Sequence, residues 1–173
     1  MAPLRQALVT GLCGLLSPAF AVGDVLVYRD VRGPAAATLE FDRDLSDAVA
    51  ARLANVQSGI HALASDHIVT RARDKRRLRE QYGADAVDME TWAIAHRLRD
   101  AGVALAALRV GSDGPGDELP DLGRALTPAG DISALRLAQA FAGRPRASLT
   151  LMRNGMRALR ALERAVFEIV CAA

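Results

Sequence analysis

Two short apolar runs in this chain end abruptly in acid, and that pattern limits the folds open to it. One is Gly83-Ala84-Asp85-Ala86-Val87-Asp88-Met89-Glu90. The other leads through Arg109-Val110-Gly111 to Ser112-Asp113. Apolar runs of this length suit buried strands, and charges at their ends suit a cleft at the carboxyl edge of a sheet. A buried or half-buried carboxylate is costly unless it is paired or used. Glu90 and Asp113 are therefore expected to converge on one ligand.

The rest of the chain alternates strand and helix signals. Residues 7–9 read as a strand entering a glycine turn at 11–14, and residues 24–28, 60–64, 86–88 and 104–110 as further strands. Residues 31–38, with Gly33-Pro34, read as a loop. Ser46 is expected to cap a helix over 47–56, with Val49, Leu53 and Val56 on one stripe. Thr70 is expected to cap a basic helix that stops at Gly83, with Leu78 and Tyr82 facing inward. A helix from Glu90 to near Gly102 would bury Trp92, Ala95 and Leu98. Two more helices are expected over 133–142 and 147–172. This alternation predicts an α/β fold, in three α/β/α layers around a central mixed, largely parallel sheet. One domain over residues 1–173 is expected.

Composition removes several function classes. With 51% hydrophobic and 24% charged residues the chain reads as an ordinary soluble globular protein. Aromatics are only 4%, which argues against stacking platforms for nucleic acid. The densest basic run, 71–77, is broken by Asp74 and reads as a solvated helix face. Cys13 and Cys171 have no metal-site spacing, and His61, His67 and His96 are scattered, so no metal centre is expected. Residues 1–21 have the outline of an export signal, with Arg5 before an apolar stretch and Ala19-Phe20-Ala21 after it. Thr10, Gly11 and Gly14 interrupt that stretch, and a cytoplasmic location is the expectation.

These residues together resemble the nucleoside phosphorylase/nucleosidase superfamily. Val9-Thr10-Gly11-Leu12-Cys13-Gly14-Leu15-Leu16-Ser17-Pro18, followed by Val22-Gly23-Asp24, is similar to that family's glycine loop and strand entry. Val87-Asp88-Met89-Glu90 resembles its ribose-binding segment, and Arg109 to Asp113 its catalytic Arg-x-x-Ser-Asp segment. Asp66-His67-Ile68-Val69, Lys75 and the tail from Gly143-Arg144-Pro145 look like the hopanoid-associated phosphorylase group. Family members carry further strands before the glycine loop, so the resemblance implies an N-terminally shortened fold with an exposed sheet edge.

The resemblance implies cleavage of the N-ribosidic bond of an adenosine-type nucleoside, with adenosylhopane as one substrate. Such cleavage needs a proton for the leaving base and a hold on an oxocarbenium-like sugar. Asp113 is the expected general acid, with Ser112 as its hydrogen-bonding neighbour. Nearby carboxylates are expected to raise its pKa. Glu90, Met89 and Asp88 are assigned to the ribose, Ile68 and Val69 to the base. The loop of Gly11, Leu12, Cys13 and Gly14 is assigned to the nucleophile or phosphate side. No cofactor is implied beyond inorganic phosphate as co-substrate of a phosphorolytic enzyme. Leu12 cannot donate a hydrogen bond there and favours hydrolysis.

Taken singly, the same residues have plainer readings: a turn at Ser112-Asp113-Gly114, and a helix-start carboxylate at Glu90. Cys13 reads as a small buried residue. The C-terminal helix is expected to pack Leu151, Met156, Leu159, Leu162 and Val166 on the sheet. Docking of its arginines on an anionic membrane is the alternative. The implied partners are a purine nucleoside and further copies of the chain, with no nucleic acid. The competing function is a truncated, non-catalytic chain that binds nucleosides or pairs with another chain through its open edge.

Overall fold

The structure is a computed structural model that describes residues 4–120, 141 and 143–171. The chain order is β1 (Gln6–Leu15), β2 (Val25–Arg32), β3 (Thr38–Glu40), α1 (Arg43–Ala50), β4 (Gln57–Ala64) and α2 (Ala72–Tyr82). There follow β5 (Ala86–Asp88), α3 (Thr91–Asp100), β6 (Ala104–Asp113) and α4 (Pro145–Cys171). The helix expected over 133–142 lies outside the described residues.

The sheet runs β3-β2-β4-β5-β1-β6, and β2 also pairs with β6. That extra pairing closes five strands into a mixed barrel, with β3 appended to β2. Parallel pairs (β2–β4, β4–β5 and β1–β6) alternate with antiparallel β1–β5 and β2–β6. The α/β class and the mixed sheet expected are present, but the sheet closes into a barrel instead of forming the central layer of three. Closure removes the edge anticipated at β1, which has β5 on one side and β6 on the other. The apolar stretch that resembled an export signal is this strand.

Several local expectations change for identifiable reasons. β1 runs straight through Gly11 to Gly14, so the glycine segment is strand, not loop, with a register shift between Cys13 and Gly14. Its glycines make room for neighbours: a Cβ on Gly11 would lie 2.0 Å from Arg109 Nη1. β2 extends to Arg32 and β3 forms where a loop was expected, because Val31 and Leu39 are both buried and pair. Asp42, not Ser46, caps α1 and accepts from the Leu45 N–H at 2.8 Å. Thr70 does not cap α2. Instead the Glu118 carboxylate accepts from the Ala72 N–H at 3.1 Å, and Gly83 closes the helix in the left-handed region.

β6 is buried on both faces, and its alternation divides the core. Leu105 and Ala107 join Val9, Cys13, Leu26, Tyr28, Ile60 and Ala62 in one cluster, with Ala95 of α3. Ala106 and Leu108 meet Val49 of α1 and Ala165 of α4. Val110 meets Ala158 and Ala161. On α2, Leu78 and Tyr82 pack inward as expected, against Leu16, Leu63, Val69, Ala84 and Val87.

The contact face of α4 is the main surprise in packing. Ala158, Ala161 and Ala165 are buried, while Leu149, Met152, Met156, Leu159, Phe167 and Val170 are exposed. Small side chains let the helix approach the strands closely, so the face expected from the largest apolar residues is the wrong one for Met156 and Leu159. Leu159→Ser should therefore change stability by less than about 0.5 kcal/mol, whereas Ala158→Leu should cost about 1–3 kcal/mol by overpacking. Urea denaturation of the two variants measures the contrast; equal losses would contradict this packing.

Candidate active site

A cleft of about 200 Å³ opens where β1, β5 and β6 bring their residues together. Leu12, Cys13 and Gly14 come from β1, Ser112 and Asp113 from the end of β6. Asp88 ends β5 and Met89 and Glu90 follow it, and Ile68 and Val69 follow β4. Every residue assigned to the site from the sequence therefore reaches this cleft except Gly11, which lies beneath the Arg109 side chain.

Asp113 is buried at the cleft, and both of its carboxylate oxygens have partners. Ser112 Oγ lies 2.8 Å from Oδ1 and 3.1 Å from the Cys13 carbonyl, either of which can accept its one hydrogen. Lys75 Nζ donates to Oδ2 at 2.5 Å and to the Gly114 carbonyl at 2.7 Å. The neighbour expected for Asp113 was another carboxylate; the structure supplies an ammonium. Lys75 is also the correction to the solvated basic run, because its side chain is 0% exposed. α2 delivers it, held to the loop after Asp113 by the Glu118 cap and by a Leu119 N–H bond to the Thr70 carbonyl. Asn154 of α4 donates to Asp117 Oδ2, which also accepts from the Gly114 N–H.

Asp88 lines the cleft, and its carboxylate is already engaged by protein donors. Its Oδ1 accepts from the N–H groups of Glu90 (3.1 Å) and Thr91 (2.8 Å), capping α3. Its Oδ2 accepts from Tyr28 (3.1 Å) and Thr91 Oγ1 (2.6 Å). Arg109, buried across Gly11, donates from Nε and Nη2 to Thr91 Oγ1 at 3.0 and 2.7 Å. Its Nε lies 3.7 Å from Asp88 Oδ2, and its Nη1 lies 3.8 Å from Glu90 Oε2. The network thus neutralises a buried arginine and points one corner of it at the cleft. Thr91 and Tyr28 were not foreseen as site residues; a threonine three residues after an aspartate was the available signal.

Glu90 stands at the rim, its side chain 61% exposed, with Met89 also exposed beside it. This leaves Glu90 free to accept hydrogen bonds from a ligand. Val69 is buried in the wall and Ile68 half-buried. His67, on the open side, is exposed and paired with Asp66 at 2.5 Å. That hydrogen bond, with the imidazole charge, holds the Asp66 carboxyl below its ordinary value. Cys13 is the small buried residue expected: burial pushes its thiol up to about 12. Burial likewise raises Tyr28. Among the described residues no group of three or more His, Cys, Asp or Glu could hold a metal.

The closed mixed barrel thus sets a buried carboxylate, Asp113, and an exposed one, Glu90, at the same cleft. The family profile of the phosphorylase superfamily matches residues 3–139, and the chain belongs to that superfamily. No curated protein sequence matches it. Among solved structures it is similar to futalosine hydrolase of Helicobacter pylori strain 26695, at 16% identity and a TM-score of 0.71. That alignment covers 98% of this chain and 69% of the other. It is similar also to the MTA/SAH nucleosidase of Streptococcus pneumoniae, at 16% identity and a TM-score of 0.70, covering 98% and 70%. The corresponding nucleosidase of Neisseria meningitidis gives the same figures.

Two expectations are overturned by these likenesses. The narrower resemblance to hopanoid-associated phosphorylases does not hold, since the structures this chain is similar to are a futalosine hydrolase and MTA/SAH nucleosidases. The short segments that suggested it, 66–69 and 83–90, line a cleft that belongs to the shared fold. Phosphate as co-substrate is withdrawn for the same reason, and Leu12 presents no hydroxyl to an anion.

Thr91→Val should cost about 1–3 kcal/mol, because it leaves Asp88 and Arg109 each short of a buried partner. Denaturant titration reads this, and an unchanged midpoint would mean that the network is not holding α3. Iodoacetamide at mildly alkaline pH should modify Cys171, which is exposed, and spare Cys13 in the folded chain. Intact-mass spectrometry counts the adducts; two adducts on folded protein would contradict the inert thiol.

Proposed function

We propose that this chain is an N-ribosyl hydrolase, a nucleosidase that releases the base of an adenosine-type nucleoside. The observation that carries this reading is the placement of Asp113 at the buried end of a cleft whose rim carries Glu90 and Met89. Family membership and the fold shared with the hydrolase and nucleosidases support it.

The roles follow from the chemistry. As the N-ribosidic bond breaks, its electron pair moves onto the base, and Asp113 supplies a proton at N7. Ser112 orients that carboxyl. Glu90 accepts hydrogen bonds from the ribose hydroxyls, and Met89 packs on the sugar with its flexible thioether. Ile68 and Val69 flank the base. Arg109, close to Glu90 Oε2, fixes the carboxylate's direction. Water forms the new bond to C1′ and the sugar leaves as free ribose.

The test is adenine release, measured by chromatography, from adenosine-type nucleosides with and without phosphate. Release should be independent of phosphate. Asp113→Asn should lower kcat by about 10²–10⁴-fold while still binding adenine. A folded wild-type chain that binds nucleosides and releases no adenine would be the non-catalytic alternative, and turnover untouched in Asp113→Asn would refute the assigned acid.

A further inference from the structure

The chain has one lysine, Lys75, against 21 arginines. That lysine is fully buried, and its ammonium meets the carboxylate of Asp113 at 2.5 Å. Its remaining N–H groups face neutral carbonyls, Gly114 at 2.7 Å and Asp117 at 3.5 Å. Every other permanently cationic side chain in the sequence is a guanidinium. If the position needed only a positive charge, the residue used everywhere else would also pair with a carboxylate, and in two-pronged fashion. What separates the two side chains is that an ammonium can surrender its proton and a guanidinium in a protein does not.

We propose that Lys75 is a positioning residue of the reaction, acting through Asp113 as the store of the proton that Asp113 hands to the leaving base. The inference deepens the nucleosidase reading and rests on it. An ionised Asp113 between two donors, Lys75 and Ser112, can only accept hydrogen bonds, whereas the departing base needs a donor. Taken together, Lys75 and Asp113 hold one transferable proton. As the C1′–N bond breaks and its electron pair goes to the base, the proton passes from Asp113 to N7, and Lys75 resupplies Asp113. This leaves a neutral amine beside a carboxylate. Water then forms the bond to C1′ and gives up one proton, which balances the one carried away by the base and reloads the pair.

The geometry of α2 fits this task. Its first turn is tied to the loop after Asp113 by Glu118 and by the Leu119–Thr70 bond, so lysine and aspartate are held from both sides. The pair is closed to bulk water on the lysine side and faces the cleft only through Asp113.

Lys75→Arg and Lys75→Met, each first shown to be folded by circular dichroism, should lose about 10²-fold or more in kcat. KM and adenine binding should stay near wild type. Their residual rate should peak at more acid pH, because Asp113 must then take its proton from solvent. A folded Lys75→Arg with wild-type kcat and an unshifted pH profile would reduce the pair to a structural bond. A second readout needs no turnover. With lysine labelled by ¹⁵N, the folded chain gives a single side-chain nitrogen signal. It should move on Asp113→Asn and on adding free adenine. A nitrogen signal indifferent to Asp113→Asn and to adenine would overturn the proposal. Absence of adenine release from wild type, with that coupling intact, would count against the nucleosidase reading alone.

Discussion

A strand buried on both faces must find a different set of neighbours for each alternate side chain, and β6 is where this chain meets that demand. One face supplies the barrel cluster and then, two residues at a time, the polar side chains Arg109 and Asp113. The other supplies the seat for α1 and α4. The pairing of β2 with β6 makes this arrangement obligatory, because a closed ring leaves no edge along which β6 could slip. A one-residue shift would turn Arg109 and Asp113 out towards α4 and leave the cleft without its buried acid. Fold and site are thus consequences of one register.

Beneath the cleft, charge is handled in two compact units. Arg109, Asp88, Thr91 and Tyr28 form one, and Lys75 with Asp113 forms the other. Buried ions are tolerable when they are paired and hydrogen-bonded, and each unit pairs its cation with a carboxylate. The first unit also caps α3, so the helix start and the rim residue Glu90 are fixed by the same carboxylate. The second ties α2 to the end of β6. Each helix that borders the cleft is therefore anchored at its first turn by side chains of the site itself.

Much of this was legible from residues alone. Short apolar runs ending in acid located β5 and β6, and the order of glycine, acidic and Ser-Asp segments placed nearly the whole cleft. What was hidden has physical causes. Barrel closure depends on β2 meeting β6, a pairing of Val25–Val27 with Leu108–Val110 that no local pattern encodes. The glycine segment looked like a turn because glycine marks turns, yet here it clears space for Arg109 and Asp113. Periodicity of large apolar residues misplaced the contact face of α4, because alanine permits closer approach than leucine. Lys75 was noted only as part of a resemblance, and its burial against Asp113 was hidden by its arginine neighbours; the signal that could have exposed it was its solitude as a residue type.

The burial of that lysine has a consequence for the outside of the molecule. Every basic side chain elsewhere in the sequence is a guanidinium or an imidazole, neither of which reacts as a primary amine. The folded surface therefore offers acyl donors and ubiquitin-type conjugation no lysine at all. Amide chemistry at the Lys75 side chain must wait until α2 leaves the end of β6.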